Sequence, residues 1–285
     1  MRRMFELLLV RLLVEGGLIL LVIAGAMALQ RLCRKSPLPL VSPISTQLAV
    51  TCALCGAIVA AYSIVVRWVE QRAVVEAIPD PRSLVLGVIV GFNLCCASYL
   101  VLAAIGVASW GGLSGTAELP AAFLTALLVA TGEEVFFRGV CFRLLEDGLG
   151  TAAAVILSAV LFGAMHAGNP GATYLSTVAV GLEAGVLLAA AYVWSRSLWL
   201  VISLHFAWNF TEGGIFGAPV SGAPMRGWFD IRLSRTAPDI VTGGAFGPEA
   251  SVITVAVCLV AAIIFATAAS RLGHWQPWRF RLRTG

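Results

Sequence analysis

The sequence predicts an all-α fold: a polytopic transmembrane helical bundle of about eight spans, with a polar cavity held within the membrane. Three observations predict it. Of the 285 residues, 59% are hydrophobic and only 12% are charged, whereas soluble domains carry about 25% charged residues; so little polar surface cannot cover a water-soluble globule. The apolar residues fall in runs near the length of about 20 that crosses a bilayer as a helix. The charged residues gather at the ends of those runs, apart from a few inside them. A charge at the centre of a membrane helix costs about 2.5–3.5 kcal/mol on insertion scales, so those few are where function is expected.

The first span is expected at about residues 7–30. Arg11 and Glu15 interrupt its start, but they are four apart and can pair on one helix face. Arg2-Arg3 ahead of the run and Ala24-Gly25-Ala26 within it also fit a cleaved signal; an uncleaved anchor is the reading adopted. Further spans are expected at about 47–68, 83–108, 120–145, 151–168, 172–194, 197–213 and 251–270. The longest connection, Gly214 to Ala250, is rich in Gly and Pro. Its Trp228 and Phe229, and Trp275 and Trp278 in the basic tail, suit the membrane interface. No internal repeat or low-complexity tract is evident, and Arg281-Leu282-Arg283-Thr284-Gly285 carries no lipidation signal. The chain divides into an N-terminal group of three spans (1–115), a central four-span unit (118–212), and an outer loop with the last span and basic tail (213–285).

Lys and Arg in the connections set the orientation. With the N-terminus inside, the inner side holds Arg2, Arg3, Arg67, Arg72, Arg82, Arg143, Arg196, Arg271, Arg279, Arg281 and Arg283, eleven in all. The outer side holds six: Arg31, Arg34, Lys35, Arg226, Arg232 and Arg235. Both termini are therefore expected in the cytoplasm, in a multi-pass protein of the cytoplasmic (plasma) membrane. The net charge of +4 belongs to headgroups and topology, and no nucleic-acid partner is expected. Most of the seven cysteines lie in apolar runs, where a thiol behaves as a small hydrophobe. Cys52-x-x-Cys55 lacks the partner pair of a metal or redox site.

Polar residues inside the fourth, fifth and seventh spans form one set. Glu133 and Glu134 are adjacent and point about 100° apart on a helix. Glu134 and Arg138 are four apart and can pair along one face, which leaves Glu133 free to face elsewhere. His166 closes Phe162-Gly163-Ala164-Met165-His166, and His205 and Asn209 share one face of the seventh span. Glu133 lies 13 residues past Pro120, His166 15 past Thr151 and His205 8 past Ser197, so all fall near mid-span and can meet in one cavity. Such a set suits hydrolysis: Glu133 takes a proton from water, His166 orients that water, and His205 with Asn209 donates to an oxyanion. Alternatively Glu133, His166 and His205 supply the carboxylate and imidazole ligands that suit Zn²⁺ or another divalent metal. The His-Glu-x-x-His signature of soluble metalloproteases is absent.

Glu133-Glu134-x-x-x-Arg138, then Phe162-x-x-x-His166, then His205-x-x-x-Asn209, in that order on separate spans, resembles the CPBP family of intramembrane metalloproteases. These are the CAAX-processing (Rce1-like) and bacteriocin-processing enzymes, also called Abi proteins. The resemblance covers about Glu118 to Glu212. It implies that Glu133 is the water-activating glutamate with His166 as its partner. It implies further that His205 and Asn209 are an oxyanion or metal-site pair, with Glu134, Arg138 and Phe162 in support. It also implies an eight-helix bundle whose catalytic cavity opens to the cytosol, and a peptide or protein substrate, CAAX-type and lipidated, a leader, or a signalling peptide.

Simpler readings stand beside these. Glu134 and Arg138 could only lock helices together, and each histidine alone could be an interhelical donor. Glu183, in Gly181-x-x-x-Gly185, lies outside the motifs; its glycines suit close helix packing. Asn93, Asn169 and His274 read as structural or interfacial. The leading expectation is a membrane-embedded endopeptidase. A non-catalytic scaffold or immunity protein and a proton-coupled transporter are the competing readings, the second disfavoured by the lack of a repeat.

Overall fold

The computed structural model describes residues 2–35, 43–114 and 118–278, the side chains of residues 2–7 excepted. The tail arginines Arg279, Arg281 and Arg283 and the side chains of Arg2 and Arg3 therefore lie outside the described residues.

Eight long helices follow the expected runs. They are α1 (Arg2–Lys35), α2 (Ile44–Val69) and α3 (Pro81–Ala104), α4 (Leu119–Leu149), α5 (Thr151–Gly168) and α6 (Tyr174–Ser195), α7 (Leu198–Asn209, continuing through Phe210–Ile215) and α8 (Val252–Arg271). Their ends follow local chemistry. Asp80 caps α3 by accepting from the Arg82 and Ser83 amides, with Pro81 in the first turn. Thr173 and Ser176 form a reciprocal capping box on α6, and Ser251 accepts from the Ile253 amide at α8. Between α4 and α5 stands Gly150 at φ +93°, where a Cβ would strike the Pro277 carbonyl; only glycine fits that corner.

Among the described residues, seven helices are long and apolar enough to cross a membrane. The expected span at 197–213 is helical as well but is not among them, because His205, Asn209 and Glu212 interrupt its apolar run. The bundle explains how it can be so polar. Leu198, Leu200, Val201, Ile202, Leu204 and Trp208 are all buried by neighbouring helices, so α7 needs little lipid-facing surface. It packs most extensively against α3, whose Gly87 and Gly91 sit directly on α7: a Cβ at Gly87 would strike Ser203 Oγ and the Leu200 carbonyl, and one at Gly91 the Leu204 carbonyl. Small residues four apart let two backbones approach this closely.

One continuous apolar core runs from Leu8 in α1 to Ala269 in α8. A two-stranded antiparallel sheet, unexpected from the apolar pattern, is formed by β1 (Ala108–Leu113) and β2 (Phe229–Leu233), pairing Ala108 with Leu233 and Trp110 with Ile231.

The two ends of the bundle differ. At the end bearing residues 8–15 and 271–278, Arg143 pairs with Glu70, and Arg11 bonds Glu15 at 3.0 Å and Glu70 at 3.1 Å. Arg72 bonds Glu70 at 2.8 Å and Glu76 at 2.6 Å, and the Tyr62 hydroxyl donates to Glu76 and lies 3.0 Å from the Gly139 carbonyl. Beside them Arg196 pairs with Glu146 and donates to the His274 carbonyl. At the opposite end lie the sheet, residues 169–173 and the long connection 216–251, tied by Asn169 donating to the Ser221 carbonyl at 3.0 Å.

Candidate active site

The first motif lies where α4 changes its winding. The helix is regular to Glu134 and turns into a π-helical stretch over Val135–Phe142. Two more π stretches occur, Gly181–Gly185 in α6 and Phe210–Ile215 directly after Asn209. All three abut motif or cavity residues, the place where wider turns re-aim side chains and release carbonyls from the regular ladder.

Glu134 is completely buried. Its Oε1 accepts from Arg138 Nη1 at 2.8 Å, as the four-residue spacing predicts, and also from His205 Nδ1 at 2.9 Å. Arg138, 1% exposed, donates from Nη2 to the carbonyls of Ala184 and Gly185, both at 3.1 Å, in the α6 π stretch. Its guanidinium also lies over the Phe162 ring, 5.0 Å from the centroid. This arginine thus fastens α4 to α5 and α6, while Glu134 fastens α4 to α7.

His166 stands at the end of α5 and donates from Nδ1 to the Phe162 carbonyl at 2.7 Å. A carbonyl only accepts, so the hydrogen is on Nδ1 and Nε2 of the neutral ring keeps its lone pair. The Phe162 ring packs against the imidazole with centroids 4.7 Å apart, so both parts of Phe162 position His166. Glu133 and His166 line one cavity of about 280 Å³, together with Leu20, Ile23, Ala24 and Met27 of α1. Glu133 Oε2 is buried without a protein hydrogen-bond partner. Glu134 Oε2 is unpartnered as well, but Glu133 is the one of the two whose side chain lines this cavity; a buried carboxylate oxygen with no donor has hydrogen-bonding capacity to spare.

A second, smaller cavity of about 20 Å³, room for about one water, is lined by His166, His205, Asn209, Glu183, Ser221 and Glu249 among others. His166 borders both spaces. The structure thus gathers Glu133 with His166 in one cavity and His166 with His205 and Asn209 in the other. It ties His205 to Glu134 across 71 residues, a link the spacing could not reveal. Among the described residues, no three His, Cys, Asp or Glu side chains form a ready-made metal-ion cluster.

The remaining candidates have structural partners. Glu183 accepts from the Cys258 thiol at 3.5 Å, and its flanking Gly185 lies on Ala159 of α5. All seven cysteines are free. Asn93 donates to the Ile89 carbonyl, and the His274 Nδ1 lies by the Val193 and Trp194 carbonyls. Sequence reasoning missed Glu212, buried and bonded to the Tyr99 hydroxyl at 3.1 Å and the Trp208 indole at 3.0 Å. It lies three residues past Asn209 on the same helix, which was the available signal. The α1 wall of the larger cavity carried no signal, being uniformly apolar.

Residues 115–211 match the family model of type II CAAX prenyl endopeptidase Rce1-like proteins. That Rce1-like region contains Glu133, Glu134, Arg138, Phe162, His166, His205 and Asn209, and it excludes α1, α2, α3 and α8. No curated protein and no solved structure matches the chain. The match and the seven apolar helices among the described residues support an integral, multi-pass membrane protein in which residues 115–211 are similar to the Rce1-like family.

Proposed function

We propose that the protein is an intramembrane endopeptidase in which Glu133 activates a water for attack on a peptide carbonyl. The observation that carries this reading is the shared cavity of Glu133 and His166, with Glu133 Oε2 lacking any protein donor. The two side chains are complementary as water acceptors. One water hydrogen goes to the Glu133 carboxylate and the other to His166 Nε2, whose lone pair is free because Nδ1–H is committed to Phe162. The water's own lone pair then faces the substrate.

As the carbon–oxygen bond forms, Glu133 takes the proton, and it returns the proton to the amide nitrogen as the carbon–nitrogen bond breaks. The developing oxyanion is met by the Asn209 amide and by His205. The Glu134 carboxylate at Nδ1 supports the doubly protonated imidazole, which leaves Nε2–H as a donor. These steps use only the chain's own side chains and water. The substrate is a peptide or protein segment, with a CAAX-type lipidated tail, a leader and a signalling peptide as the classes to be tried.

The test is cleavage of fluorogenic prenylated and leader-type peptide libraries by purified protein in nanodiscs. Wild type is compared with Glu133→Ala and His166→Ala, each with and without a strong chelator and each checked for folding. Both substitutions should abolish cleavage in folded protein, and the chelator should leave wild-type cleavage unchanged. Cleavage that survives Glu133→Ala overturns the site, and loss to the chelator replaces Glu–His activation with a bound metal.

A further inference from the structure

The family match begins at residue 115, so what α1 contributes to the larger cavity lies outside it. That contribution is a single stripe. Leu20, Ile23, Ala24 and Met27 repeat at three- and four-residue spacing, which puts them on one helix face, and all four line the cavity that holds Glu133 and His166. Facing the stripe are Gly132 and Phe137 of α4 and Met165 of α5. Apart from Glu133, His166 and Asn169 the lining is apolar, so the cavity suits an apolar side chain next to the reacting groups.

The stripe has a fixed position and an uneven profile. Gln30 of α1 donates to the Leu124 carbonyl of α4 at 2.9 Å and to the Thr51 hydroxyl of α2 at 3.1 Å. Arg34 donates to the Thr125 hydroxyl of α4 at 2.9 Å. Two turns earlier the helices press together, where a Cβ on Gly132 would come within 3.0 Å of the Ile23 side chain. Ala24 follows Ile23 and carries the smallest side chain of the four, between the longer Leu20 and Met27. The wall therefore recedes at Ala24.

We propose that α1 is the specificity wall of the site, with Ala24 setting the size of the apolar side chain accepted beside the scissile bond. The proposal rests on the endopeptidase reading. Chemistry and selection then sit on different parts of the chain, the first within residues 115–211 and the second ahead of them.

The test uses the full chain in nanodiscs and a peptide library varied in size at each position around the cleaved bond. Ala24→Leu fills the recess and should lower kcat/KM for peptides with Phe or Leu beside the bond, relative to Ala, by about 10-fold or more, the weight of a methylene in an apolar pocket. Met27→Ala should shift the preference the opposite way. Leu21→Ala is the control, since Leu21 is 71% exposed and does not line the cavity; its profile should match wild type. Unfolding midpoints check that each variant is folded. A readout without turnover uses the same peptides carrying photo-leucine, cross-linked to Glu133→Gln and mapped by mass spectrometry. Adducts should fall within residues 20–27, and Ala24→Leu should deplete them. Cleavage with an unchanged size profile in both folded variants, or with adducts only outside α1, overturns the proposal and leaves the endopeptidase reading standing. Adducts on α1 without cleavage by wild type overturn the endopeptidase reading and keep α1 as the wall of an apolar binding cavity. Neither cleavage nor adducts on α1 overturns both.

Discussion

Glu133 and Glu134 are chemically identical neighbours with different partners, and their substitutions should separate accordingly. Glu134 holds the buried Arg138 and His205, so Glu134→Ala leaves a guanidinium in the interior without its carboxylate. Removing one partner of a buried pair costs about 3–5 kcal/mol, visible as a lower midpoint of thermal unfolding in detergent. Glu133 holds no protein donor at Oε2, so Glu133→Gln should leave the midpoint unchanged while cleavage falls about 10²–10⁴-fold, the usual weight of general acid–base catalysis. A stable Glu134→Ala or an unstable Glu133→Gln would reverse the roles of the two carboxylates. The Glu134–Arg138 pair was legible because helical spacing is local. The Glu134–His205 bond was not, because nothing in a sequence states which faces of α4 and α7 will meet.

Helix α7 presents His205 and Asn209, and glycines set its position. Gly91→Ala would place a methyl against the Leu204 carbonyl, one residue from His205. Overpacking of this kind costs typically about 1–3 kcal/mol, and displacement of α7 should lower kcat while leaving KM less affected. Gly17→Ala is the control, since a Cβ there meets nothing within 4 Å, and its unfolding midpoint and kinetics should match wild type. Equal behaviour of the two variants would mean that the glycine contact does not position the site. The helices themselves were legible, because apolar runs of bilayer length leave few alternatives and the capping residues mark their ends. The π stretches after Glu134 and Asn209 and the pairing of Ala108 with Leu233 were not, since both depend on tertiary contacts that local pattern does not encode.

Across the whole molecule, the terminus-bearing end carries a cluster of acid–base pairs, and this gives the fold an acid limit. Burial acts to raise the Glu70 carboxyl, but the Arg143 and Arg72 guanidiniums outweigh it and hold the group below its ordinary value of 4.5. Burial likewise opposes ionisation of Glu76, and hydrogen bonds from Arg72 and Tyr62 again bring it below 4.5. A carboxyl lowered in the folded state binds fewer protons there than in the unfolded chain. Its contribution is complete above the unfolded value and is lost as pH falls through the folded one. The unfolding midpoint in detergent should therefore be flat near neutral pH and decline from about pH 4.5 downward. Glu70→Gln with Glu76→Gln should lower the neutral plateau, because Arg72 and Arg143 lose their carboxylates, and should flatten the acidic decline, because the groups that titrate are gone. A double variant whose acidic decline is as steep as that of wild type would assign the acid limit to other carboxyls. Glu133 lies outside this network, so cleavage measured at neutral pH should follow the folded fraction of the double variant and show no separate loss.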